Sequence, residues 1–160
     1  MLLKAIFKKI AENKLAPILI LGAGLRLYKW NNYGFWYDEV SWLAWPTDNL
    51  FGLLIDTLRI AKPPLFRLLV YLWSSLGKGE SFLRLLPFAF GVAAIIIIYK
   101  TGSLLFDRKS GLLAALLLAV SPFHIHYSQE LTNYALATLL SLLSVYYLYL
   151  SLRDNSLSRW

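Results

Sequence analysis

The chain has 160 residues, 58% hydrophobic and 16% aromatic, with a mean hydropathy of +0.56, which excludes an ordinary soluble domain and reads as an integral membrane protein. The absence of cysteine excludes disulfide scaffolds, thiol nucleophiles and cysteine metal sites. The net charge of +7 comes from sixteen Lys and Arg residues scattered at the ends of apolar runs, a pattern that sets topology and forms no basic stripe for nucleic acid.

Residues 1–14 carry Lys4, Lys8, Lys9 and Lys14 and read as a basic amphipathic segment. A first span follows over 15–29; Lys-Trp-Asn-Asn comes next rather than a small-residue cleavage site, so it is a retained span and not a signal peptide. Residues 30–81 form one long loop that holds Trp30, Trp36, Trp42, Trp45 and Trp73 with Tyr33, Phe35 and Tyr37, rings that favour the headgroup region. Within it, Leu50, Phe51, Leu53, Leu54, Leu58 and Ile60 recur near helical spacing, with Asp56 and Arg59 among them, as in an interfacial amphipathic helix.

Lys62-Pro63-Pro64 predicts a helix beginning near Pro63 or Pro64 with Lys62 just outside it, because proline suits a first turn and pushes its predecessor toward extended backbone. An ammonium beside a helix start makes an anion site; the plainer reading is a kinked loop whose lysine meets lipid headgroups. The apolar run 64–76 is too short to cross and contains Arg67. Three further spans are expected at 82–105, 111–127 and 132–152, each approaching the roughly 20 residues that about 30 Å of hydrocarbon requires. Four crossings put the N-terminal lysines, Arg108-Lys109 and the 153–160 tail on one side, so both termini are expected to be cytoplasmic and the 30–81 loop extracytoplasmic.

The chemistry-bearing residues gather on that outer side. Asp38 and Glu39 are adjacent acids beside a bilayer, costly unless used. Beyond Pro122, if the helix persists, His126 and Glu130 stand four apart on one face, while His124 points elsewhere. Two ligands do not make a metal site, so a hydrogen-bonded pair capping the membrane exit is the preferred role. Glu80 and Arg84, also four apart, read as a supporting ion pair. No span interior carries a clear ionisable pathway, which argues against a transporter or channel.

The order of Tyr-Asp-Glu at 37–39, Lys-Pro-Pro-Leu at 62–65, Gly-Glu-x-x-Leu-Arg-Leu-Leu-Pro at 79–87, Leu-Phe-Asp-Arg-Lys-x-Gly at 105–111 and Ser-Pro-Phe-His-Ile-x-Tyr-Ser-Gln-Glu at 121–130 resembles the N-terminal part of polytopic glycosyltransferases. These are the dolichyl-phosphate-mannose protein mannosyltransferase-like enzymes, similar also to aminoarabinose transferases of lipid A. The resemblance implies an all-α integral membrane protein, the N-terminal module of a larger C-type glycosyltransferase fold. It further implies transfer of a hexosyl or pentosyl group from a polyprenyl-phosphate-linked donor to a protein, lipid or glycan acceptor on the extracytoplasmic face, with inversion. The membrane would be that of the cell or of the endoplasmic reticulum.

By that carry-over Asp38 is the general base, Glu39 positions it or the acceptor, and Lys62 neutralises the departing lipid phosphate. Tyr37, His126, Gln129, Glu130 and Tyr134 line the substrate site. The resemblance assigns no cofactor and leaves a divalent cation open. The chain departs from the pattern in having Leu131-Thr132 where relatives carry Ala-Arg. Because the family has many more spans, the 160 residues are expected to be a truncated module that needs the missing spans or a partner chain. The alternative is a non-enzymatic membrane subunit or lipid-binding scaffold that retains the fold.

Overall fold

A computed structural model describes residues 14–30, 32–43, 50–59 and 62–153. The lysines before Lys14, Trp45, Ile60 and the tail after Arg153 lie outside the described residues. All regular structure described is helical: α1 (Leu15–Leu27), α2 (Tyr37–Leu43), α3 (Leu50–Arg59), α4 (Pro64–Ser74), α5 (Glu80–Leu105), α6 (Arg108–Val120), α7 (Pro122–Gln129) and α8 (Tyr134–Arg153).

By length and composition, α5 with 26 residues and α8 with 20 can each cross a membrane, and α6 with α7, bent by 59° at their junction, reach that length only when counted together as one broken span. Four spans were expected from the sequence; α1, an apolar helix of 13 residues, falls short of that length in its described part. The loop helices follow the sequence grammar. α3 covers the amphipathic run, and α4 begins at Pro64 with Pro63 as its N-cap. Asp56 of α3 pairs with the fully buried Arg67 of α4 at 2.6 Å, so the charge inside that apolar run fastens the two helices together.

α5 is the central helix, packed by α1, α6, α7 and α8, with α4 against its start. One core joins Trp42, Phe66, Val70, Leu83, Leu131 and Leu136, holding the loop helices onto the bundle. A second joins Leu15, Ile95, Ala115 and Ala119 across α1, α5 and α6. Small residues let these helices touch: a Cβ on Gly102 would come within 2.9 Å of the Gly111 backbone.

The third span is not continuous past Pro122, as the expected 111–127 span supposed. Proline has no N–H to give the Leu118 carbonyl four residues earlier, and it drives Ser121 to extended backbone (φ −63°, ψ 116°). The helix restarts at once, Ser121 accepting at its Oγ from the His124 N–H.

The orphaned carbonyls at this break are met by Arg26 of α1, which is fully buried. Its Nη2 donates to Leu118 O at 3.2 Å and to His124 Nδ1 at 2.6 Å. Its Nη1 donates to Ala119 O and Gly22 O, and its Nε to Ser128 Oγ. All five guanidinium protons are thereby used. Room for the group comes from Gly22 and Gly91, whose added Cβ atoms would lie 3.4 and 3.2 Å from it. Arg26 and His124, to which the sequence reading gave no part, lie buried together in the bundle. Helix-end carbonyls exposed by the proline break supply the compensation that a carboxylate would otherwise give.

Candidate functional site

The Asp38-Glu39 pair sits in the first turn of α2, and its two members face opposite environments. Glu39 is fully buried. Its Oε1 accepts from Arg84 Nε at 2.8 Å and from the Leu131 N–H at 2.8 Å, and its Oε2 from Arg84 Nη2 at 2.7 Å and the Trp36 N–H at 3.4 Å. Four donors saturate a carboxylate. Arg84 in turn donates to the carbonyls of Trp30, Tyr33 and Gly34, which pins the chain between α1 and α2.

Two expectations are therefore corrected. Arg84 pairs with Glu39 rather than with Glu80, because the turn holding Glu39 folds onto that face of α5 while Glu80 stays exposed. Glu39 is enclosed and saturated, so it cannot also touch an acceptor; it holds the helix that carries Asp38. Asp38 itself is exposed.

Lys62 reaches back to α2. Its Nζ donates to Ser41 O at 2.8 Å and to Ser41 Oγ at 2.6 Å and stands 4.4 Å from the centroid of the Trp42 ring. Burial, with the nearby Arg67 charge, holds its ammonium below the ordinary lysine value, while the Asp38 and Asp56 charges oppose that shift. Asp38 and Lys62 thus lie within electrostatic reach of each other on one side of α2.

On the other side of the Glu39–Arg84 pair lies a cavity of about 560 Å³, lined by Lys29, Trp30, Tyr33, Gly34, Trp36, Arg84, His126, Gln129 and Glu130. His126 Nε2 stands 3.2 Å from Glu130 Oε1, the i,i+4 pair expected from the sequence, formed because α7 restarts at Pro122. Burial and the Glu39 charge raise the Glu130 carboxyl pKa above its ordinary 4.5, against the opposing influence of His126, a Trp36 hydrogen bond and Arg84.

Gln129 donates to the carbonyls of Arg26 at 3.0 Å and Tyr28 at 2.9 Å, closing the end of α1 beside the cavity. The Tyr134 ring packs against Tyr127 at a tilt of 51°, with ring centroids 4.4 Å apart. Tyr134, Tyr37, Asp38 and Glu80 are exposed and Lys62 is half-buried, and all five lie outside the cavity lining.

The sequence reading missed Lys29 and gave Trp36 no part in the site. Lys29 has a φ of 56°, the left-handed conformation usual just past a helix C-terminus but uncommon for lysine; only the boundary of α1 could have suggested it. Among the described residues, no group of three or more His, Asp or Glu could hold a metal ion.

The raised Glu130 pKa carries a sign. A carboxyl whose folded pKa exceeds its unfolded one stabilises the fold at low pH and loses that contribution as pH rises through the folded value. The advantage in Tm of Glu130→Gln over the native chain in detergent should therefore grow as pH climbs from 4.5 toward neutrality. A difference that shrinks over the same interval would reverse the assignment.

Residues 61–160 match the family model of dolichyl-phosphate-mannose-protein mannosyltransferases. Neither a curated protein nor a solved structure matches the chain. The match takes in Lys62, Arg84, His126, Gln129 and Glu130 and covers more than half of the 160 residues, and its all-helical, apolar architecture agrees with it: the chain belongs to the dolichyl-phosphate-mannose-protein mannosyltransferase family, a family of integral membrane glycosyltransferases.

Proposed function

We propose that the chain carries the acceptor-activating part of a glycosyltransferase that moves a sugar from a polyprenyl-phosphate donor to an acceptor hydroxyl at the extracytoplasmic face. The observation that carries this reading is the division of labour between the two acids of α2. Glu39 is spent on Arg84 and the Leu131 N–H, whereas Asp38 is exposed beside a lysine.

The acceptor oxygen attacks the anomeric carbon as Asp38 takes its proton, the bond from that carbon to the phosphate oxygen breaks, and the configuration inverts. A hydroxyl is a poor nucleophile at neutral pH, so a positioned carboxylate is the expected aid. Lys62 balances the charge that develops on the departing lipid phosphate. The cavity beside Trp36, His126 and Glu130 offers aromatic faces for ring C–H groups and a carboxyl for sugar hydroxyls. Both termini are cytoplasmic in this reading.

The deciding measurement is sugar transfer from a synthetic polyprenyl-phosphate sugar by membranes that contain Asp38→Asn in the full chain. Orientation is tested separately, on a chain that has no cysteine of its own. A cysteine placed at Gly79 should react with an impermeant maleimide added from outside. Labelling only after permeabilisation would put Glu80 on the cytoplasmic side, mean that the 64–76 run crosses, and overturn the assignment of the whole 30–81 loop to the outer face.

A further inference from the structure

We propose that Ser41, with the ring of Trp42, is the positioning element that fixes the Lys62 ammonium for the donor phosphate. The proposal rests on the donor role of Lys62 given above. A lysine side chain has many rotamers and an ammonium with three rotatable donors, so an unheld Lys62 would meet a phosphate from many directions and lose that freedom on binding.

It is held before any donor arrives. The Ser41 carbonyl takes one proton at 2.8 Å, the Ser41 hydroxyl a second at 2.6 Å, and the Trp42 ring lies under the charge at 4.4 Å. The Ser41 hydroxyl is itself oriented, since it donates to the carbonyl of Asp38. Trp42 is fixed by burial and by its edge contact with Phe66 of α4, at 4.9 Å between centroids.

All of these contacts to Lys62 come from α2, the seven-residue helix whose first turn holds Asp38. The base and the cation are therefore set by one rigid unit, which the Glu39–Arg84 pair locks to α5. Movement of α2 would shift both groups together, and Ser41 is the joint between them.

The test uses the full chain in membranes, with Ser41→Ala, Ser41→Thr and Lys62→Met. Alanine favours a helix more than serine does, so the fold should persist. Loss of one charge-assisted hydrogen bond should raise donor KM about tenfold, with kcat changed less than about threefold, and Ser41→Thr, which keeps the hydroxyl, should restore KM to within about twofold of the native value. Acylation of Lys62 by a water-soluble amine reagent, followed at that residue by mass spectrometry, should be several-fold faster in Ser41→Ala and native-like in Ser41→Thr. If Ser41→Ala leaves both donor KM and the acylation rate unchanged while Lys62→Met abolishes donor use, Ser41 does not position the lysine, and the donor role of Lys62 stands. If Lys62→Met leaves both donor KM and kcat unchanged, that role falls and the proposal falls with it.

Discussion

Asp38→Asn should lower kcat for sugar transfer by about 10²–10⁴-fold, the range that a positioned general base contributes. Donor KM should change little, because the lost interaction is one made in the transition state. Asparagine keeps the shape and the exposure of the side chain but has no basic oxygen. Asp38 is exposed and lies outside the buried Glu39 network, so thermal unfolding of the variant should match the native chain. The experiment is decided by the pair of readings together. Near-normal turnover would remove Asp38 from the base role, whereas lost turnover accompanied by a lowered Tm would mean that the residue works through the fold.

Arg84→Met should produce the opposite pattern, a large loss of stability. The substitution leaves the Glu39 carboxylate fully buried with the Leu131 and Trp36 amides as its remaining donors, and removing one partner of a buried ion pair costs about 3–5 kcal/mol. It also releases the carbonyls of Trp30, Tyr33 and Gly34, so the α1–α2 connection should open to proteolysis. The compensating change is informative. Glu39→Leu combined with Arg84→Met replaces the pair with apolar groups and should recover much of the loss, since an apolar substitute for a whole buried pair is often neutral or stabilising. A single Arg84→Met variant that loses less than about 1 kcal/mol would show that the pair is solvated and does not hold the loop.

The two results would separate neighbouring acids that composition and motif treat alike. Adjacent helical residues point about 100° apart, so α2 can bury one of Asp38 and Glu39 while the other faces solvent. Which one is decided by where α5 lies: its second turn brings Arg84 under Glu39, and Trp42, three residues on, follows it into the core.

The same logic explains what was and was not legible at the cavity. The His126–Glu130 pair is an i,i+4 relation within a few residues of one helix, and the sequence shows it directly. The Glu80–Arg84 pair had the same spacing and did not form. A competing carboxylate 45 residues away in the chain reaches Arg84 with better geometry and from a dry environment, and local spacing carries no information about such a competitor.

The sequence by itself determined the membrane class, the four apolar segments and the start of α4 at Pro64. These follow from hydropathy, from the fixed φ and missing N–H of proline, and from charge at the ends of spans, all of which act over a few residues. Only the tertiary structure decided that Asp38 is the available acid, that Lys62 is held by Ser41, and that Arg26 can be buried without a carboxylate. The last depends on carbonyls more than 90 residues away that the Pro122 break sets free. A buried charge is tolerable only where the chain brings it enough partners, and those partners are assembled by packing rather than by sequence neighbours.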